Sequence, residues 1–168
     1  MARKYPLLAR VFHWVSAGVI VWALVSGLLV AMHALPPELG DLISPFNVSI
    51  TTLLLPMFVV RALYRLSFKA PTLRLPPAQR NVAHGVHALM YFSALFSMSS
   101  GLLMMEREID IFDWLSFGPL LDKGAGTKLL SILHFSSNVM LLVLLILHVG
   151  AVVKHHLNGF PILRRMSW

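Results

Sequence analysis

Apolar residues fall into four long blocks separated by shorter polar ones. Phe12 to His33, Leu42 to Val60, Asn81 to Met105 and Leu129 to Val153 contain no Asp, Glu, Lys or Arg. Each is close to the roughly 20 residues that a helix needs to cross about 30 Å of hydrocarbon. The pattern predicts an all-α integral membrane bundle of four helices, over 12–33, 42–66, 81–105 and 129–153, running up-down-up-down within one domain, 1–168. The second helix is carried past Val60 because Arg61 and Arg65 can snorkel to the membrane surface. Pro56 is tolerated there when neighbours satisfy the carbonyl that it frees. The first block is read as a retained span and not a cleaved signal, because it ends in His33 and Leu35-Pro36-Pro37 without a small-residue cleavage site.

Composition agrees with this pattern and excludes a water-soluble globule. Of 168 residues 57% are hydrophobic and 12% charged, and the mean hydropathy is +0.75, against about one-quarter charged in a soluble domain. Cysteine is absent, which excludes disulfides, thiolate metal sites and cysteine nucleophiles. The net charge of +7 would suggest nucleic acid if it formed a patch on a polar domain, so its location decides its meaning. Arg3, Lys4, Arg10, Arg61, Arg65, Lys69, Arg74, Arg80, Lys154, Arg164 and Arg165, 11 of the 14 basic residues, lie on the side of the termini. The other side holds three basic residues (Arg107, Lys123, Lys128) and all seven acidic ones, −4 net. The positive-inside rule orients such a bundle with both termini in the cytoplasm, and no nucleic acid is needed to account for the charge. The connection Ser67 to Arg80, with Pro71, Pro76 and Pro77, reads as a stiff cytoplasmic link. The connection Glu106 to Lys128, with Trp114, Phe117 and Gly118-Pro119, is expected to fold over the outer face.

Ionisable groups within spans are costly and mark function. Eight histidines are the candidates. His134 and His148 are 14 residues apart, an advance of about 21 Å and a rotation about 40° short of four full turns. Their imidazoles therefore leave one helix face at two depths, as two flat iron cofactors stacked along the bundle would require. With the first helix antiparallel to the fourth, His13 is level with His148. Gly27, fourteen residues beyond His13, is level with His134, where a missing side chain leaves room for a porphyrin, and Gly101 stands in the same relation to His87, fourteen residues beyond it. His33, His155 and His156 read more simply as interfacial residues. His84 and His87 could be half of a zinc site, but no carboxylate lies on their side to complete it. The nine methionines are scattered through the spans and read as packing.

These residues resemble the bacterial cytochrome b561 family of small four-helix membrane cytochromes over nearly the whole chain. The likeness rests on Phe12-His13-Trp14, Val60-Arg61, Ala83-His84-x-x-His87 with Tyr91 and Gly101, and His134 and His148 followed by His155-His156. The chain is similar to the superoxide-oxidising members, and more distantly to cytochrome b subunits of formate dehydrogenases and hydrogenases. The resemblance implies an inner haem b iron held by His13 and His148, and an outer haem iron held by His134 and a second-helix histidine. Asn47 stands at that last position, and an amide is a poor iron ligand. One haem is therefore expected and the outer one is in question, with His33, about 9 Å further out than Gly27, as the obvious substitute ligand.

The resemblance also implies a quinone site beside the inner haem, with His84, His87 and Arg61 placed to bind a quinone oxygen or deliver protons. Arg61 has the simpler reading of a membrane-surface anchor. Three functions remain open. The chain is a quinone-linked oxidoreductase of the bacterial inner membrane, passing electrons between quinone and a redox partner in the manner of the superoxide-oxidising members. Alternatively it anchors a larger respiratory or photosynthetic complex as its cytochrome b subunit, or it is an accessory membrane subunit with one haem or none. The acidic outer loops offer no electropositive funnel for an anion such as superoxide.

Overall fold

A computed structural model describes residues 4–67, 76–159 and 163–167. Four helices dominate: α1 (Leu7–Ala31), α2 (Pro37–Ser67), α3 (Pro77–Leu103) and α4 (Ala125–Leu157). Each is long and apolar enough to cross a membrane, and the chain is a multi-pass membrane protein. All four exceed the charge-free blocks. Once a helix leaves hydrocarbon its charged residues meet water, so nothing ends it where the apolar run ends. α1 starts five residues before Phe12, and α4 takes in Lys128 at one end and Lys154, His155 and His156 at the other. Pro37 and Pro77 begin α2 and α3, positions where proline's missing N–H would be unpaired anyway. α2 continues through both Pro45 and Pro56. His33, expected as the last residue of the first helix, lies beyond its end with a left-handed backbone, φ 53°. The link residues Lys69, Pro71 and Arg74, and Arg3 at the start, lie outside the described residues.

The packing inverts that of a soluble bundle. Leu42, Leu66, Ile132 and Ile146 are exposed toward lipid, whereas Ser16, Ser26, Ser49, Ser93, Ser97, Ser100 and Ser137 are buried. Lipid is as apolar as leucine, so helix contact gains nothing from hiding leucine and much from small residues that allow close approach. Three of these hydroxyls are satisfied within their own helix: Ser16 Oγ donates to Phe12 O (2.6 Å), Ser26 Oγ to Trp22 O (2.7 Å) and Ser93 Oγ to Leu89 O (2.8 Å). Leu24, Leu54, Phe58, Ala94, Met98 and Leu141 form the apolar centre, with all four helices contributing. α3 packs closely on α4 and α1 on α2, while α1 and α4 meet sparingly.

The connection between α3 and α4 does lie over one end of the bundle, and it contains a hairpin that the apolar pattern did not predict. β1 (Ile109–Ile111) and β2 (Leu115–Phe117) pair antiparallel, with Asp110 opposite Ser116. Ile109 and Ile111 point into the bundle and are buried. Ser49 Oγ of α2 donates to Asp110 O (2.8 Å), and the ring of Phe112 meets Phe46 at 5.7 Å. The start of α4 is tied to the same connection. Thr127 Oγ1 accepts from Gly124 N–H (3.1 Å) and donates to Glu106 Oε1 (2.8 Å), and Lys123 Nζ lies 2.9 Å from Glu106 Oε2.

At the opposite end the tail returns to the first helix. A short helix α5 (Leu163–Met166) lies where Tyr5 N–H donates to Arg165 O (3.1 Å), Arg10 Nη1 to Ser167 O (2.8 Å) and Trp14 Nε1 to Met166 O (2.8 Å). The two ends are called here the hairpin end and the termini end.

Two predictions follow from the hairpin. Ile109→Ala removes a side chain that is 0% exposed and should cost about 2–5 kcal/mol, read as a lower Tm in detergent; Trp114→Ala, at 83% exposed, should leave Tm unchanged. Hydrogen bonds from Lys123 and Thr127 hold Glu106 below the usual carboxylate range. Its contribution is therefore present at neutral pH and fades as pH falls through that lowered value. Proteolysis of the connection should increase in that acid window, and Glu106→Gln should show the increase already at neutral pH.

Candidate functional site

The histidines that the spacing singled out divide between the two ends. At the termini end, α1 contributes His13, α2 Arg61, α3 His87 and α4 His148. Arg61 Nη2 lies 3.0 Å from His13 Nδ1. A guanidinium can only donate, so Nδ1 accepts and the proton of neutral His13 sits on Nε2. The Arg61 guanidinium also lies over two rings, 5.3 Å from the centroid of Phe58 and 5.2 Å from that of Tyr91, contacts that hold a cation where water is scarce. Arg65 reaches the same Tyr91 ring at 5.1 Å. The rings of His87 and His148 meet edge to face with centroids 5.1 Å apart, and His13 is within electrostatic reach of both.

His87 has its own fixed tautomer. Its Nδ1 is 2.7 Å from Ala83 O, and a carbonyl only accepts, so Nδ1 carries the proton and Nε2 the lone pair. His148 makes no hydrogen bond among the described residues. His84, one turn before His87, is exposed and stands outside the cluster. The zinc half-site gains no partner: among the described residues no three His, Asp or Glu side chains converge on a metal position.

At the hairpin end a cavity of about 350 Å³ lies between the helices, bordered by Gly27, Asn47, Ser97, Gly101, His134 and Asn138. Asn47 is engaged on its own side: Oδ1 accepts from Trp22 Nε1 (3.0 Å), and Nδ2 donates to Ser26 Oγ (2.9 Å). On the other side His134 Nδ1 donates to Ser97 O (2.9 Å), and Nε2 lies 2.9 Å from Asn138 Nδ2. His33 is exposed beyond α1 and does not border this cavity.

Gly101, expected fourteen residues beyond His87 and so well removed from it along the helix, faces His134. A Cβ built on Gly101 would stand 2.9 Å from His134 Cε1, whereas one on Gly27 would lie 3.7 Å from Asn47 Nδ2, an ordinary contact. The glycine of α3 thus makes room for the imidazole itself. Asn138, Ser97, Trp22 and Ser26 were not singled out by the sequence. Asn138 did carry a signal, since it lies at i+4 from His134 and, with Asn47, is a side-chain amide deep within an apolar block. Gly101→Ala should displace the His134 ring at a cost of about 1–3 kcal/mol, whereas Gly27→Ala should be neutral. Thermal unfolding of the two variants in one detergent compares them directly.

Two comparisons with known proteins bear on the family of this chain. The family model described as prokaryotic cytochrome b561 matches residues 4–168. The chain is 27% identical over 160 residues to "Cytochrome b561 homolog 2" of Escherichia coli (strain K12), an alignment covering 91% of this chain and 85% of that protein. With four membrane-spanning helices and histidines presented from three of them toward one end, the chain belongs to the prokaryotic cytochrome b561 family, membrane b-type haem cytochromes of electron transfer.

Proposed function

We propose that this protein carries one haem b at the termini end, between His13 and His148, and exchanges electrons there with a membrane quinone. The observation that carries the reading is the convergence of His13, Arg61, His87 and His148 from four different helices. Two imidazoles from facing helices are a donor set that haem iron takes. The fit rests on three features: His148 has both ring nitrogens uncommitted among the described residues, His13 uses only Nδ1, and the seam between α1 and α4 is loosely packed. The hairpin end does not fit, because both nitrogens of His134 and the amide of Asn47 are engaged. No electron path is drawn through it.

When bound, the haem supplies a one-electron couple. The remaining chemistry belongs to the chain. His13 presents Nε2 as a lone pair only when its proton moves to Nδ1. That ends its role as acceptor for Arg61 and frees a guanidinium N–H, still held over Phe58 and Tyr91, to meet a quinone oxygen. A quinol must give up protons with its electrons. His87 Nε2, kept as the lone pair by the Ala83 carbonyl, takes one of them, and exposed His84 one turn away passes it to water. In the sequence, 11 of the 14 basic residues belong to the segments on the side of the termini, and the positive-inside rule turns that side to the cytoplasm of a bacterial inner membrane.

A second reading, an anchor subunit of a larger complex, is favoured by Trp114, Leu115 and Leu120, exposed on the connection outside the four spans. Copurification in mild detergent separates the two readings. The primary reading is tested by haem extraction with protein quantitation and by reduced-minus-oxidised spectra. One haem per polypeptide is expected, and His13→Ala and His148→Ala should each abolish its low-spin signal. Retention of that signal in either variant overturns the ligand assignment.

A further inference from the structure

The hairpin-end cavity retains a histidine, two bordering glycines and room for a guest, yet its hydrogen bonds close it to iron. The tautomer of His134 follows from one contact. Ser97 O can only accept, so His134 Nδ1 must donate to it across 2.9 Å, and the neutral ring then has its lone pair on Nε2. An imidazole whose Nδ1–H is held by a backbone carbonyl is oriented as a metal ligand usually is. That Nε2 lone pair is spent within the protein. Asn138 Nδ2 donates to it at 2.9 Å, and the other face of the same amide is fixed because Ser97 Oγ donates to Asn138 Oδ1 at 2.5 Å. Ser97 thus sets both partners, His134 through its carbonyl and Asn138 through its hydroxyl. Because the carbonyl admits only one tautomer, the amide cannot turn over without setting two acceptors against each other.

We propose that Asn138 is a second lock on this site, independent of Asn47: the histidine is preset as an iron ligand and its ligating nitrogen is capped by the amide one turn along α4. Asn47 removes the partner ligand from α2, and Asn138 occupies the position that iron would take on His134. The site is accordingly a latent haem site, with a hydrogen-bonded chain Ser97–Asn138–His134 in place of the metal.

The lock makes a prediction that the missing α2 histidine alone does not. Haem is quantified per polypeptide in purified full-length protein as the increment over the parent, so the result stands whether or not His13 and His148 hold a haem. Asn47→His alone and Asn138→Ala alone should add none. Asn47→His combined with Asn138→Ala should add one haem per polypeptide with a new low-spin signal, and His134→Ala in that background should remove it. Asn47→His with Asn138→Leu, which keeps the side-chain volume, provides the second form of the test should the alanine variant lose its fold, judged by a monodisperse elution profile. An increment in either single variant overturns the proposal. So does a second haem in the parent, or no increment in both double variants when they are folded.

Discussion

Hydrocarbon offers no hydrogen bonds, and this constraint governs the molecule at every level. A polar group within a span must find its partner inside the protein or cost several kcal/mol. Ser16, Ser26 and Ser93 meet the demand one at a time by bonding back along their own helices. Larger groups cannot. Arg61 needs a ring nitrogen and two aromatic faces from α1, α2 and α3, and Asn47 needs two residues of α1. Each such group ties helices together, so the costliest residues in the membrane are also those that set how the helices are registered.

The two ends resolve this constraint in opposite ways. At the hairpin end both ring nitrogens of His134 are matched. At the termini end the matching is left incomplete: His148 has no hydrogen-bond partner among the described residues, and His87 and His13 each use one ring nitrogen. Unmatched imidazole nitrogens are expensive in an apolar bundle, and a bound group that uses them offsets that cost. The same residue type is thus structural at one depth and available for chemistry at another, and the difference lies in neighbours contributed by other helices.

This division explains what was legible in the sequence. Four spans could be read from the absence of charge, because hydrocarbon imposes that absence over a fixed length. Their ends could not, since Leu7, Pro77 and Leu157 lie where water relieves the constraint. The convergence of His13 with His148 followed from helix rise and antiparallel order. The partners of His134 did not, because Ser97 is 41 residues from Asn138 and only helix packing reveals the contact. Gly101 could be placed fourteen residues beyond His87 along its own helix, but that it accommodates the imidazole of His134 from α4 is seen only in the packing. The hairpin escaped notice because strands of three residues around positive-φ Phe112 and Asp113 leave no periodic trace.

The tail that returns to α1 has a consequence in time. Tyr5, Arg10 and Trp14 flank His13, and their partners are Arg165, Ser167 and Met166. A ribosome makes the first group before α1 is finished and the second only after α4. The surroundings of His13 are therefore completed only after α4 has been made. The earliest histidine of the chain thus waits for the last of the four long helices before these contacts can form.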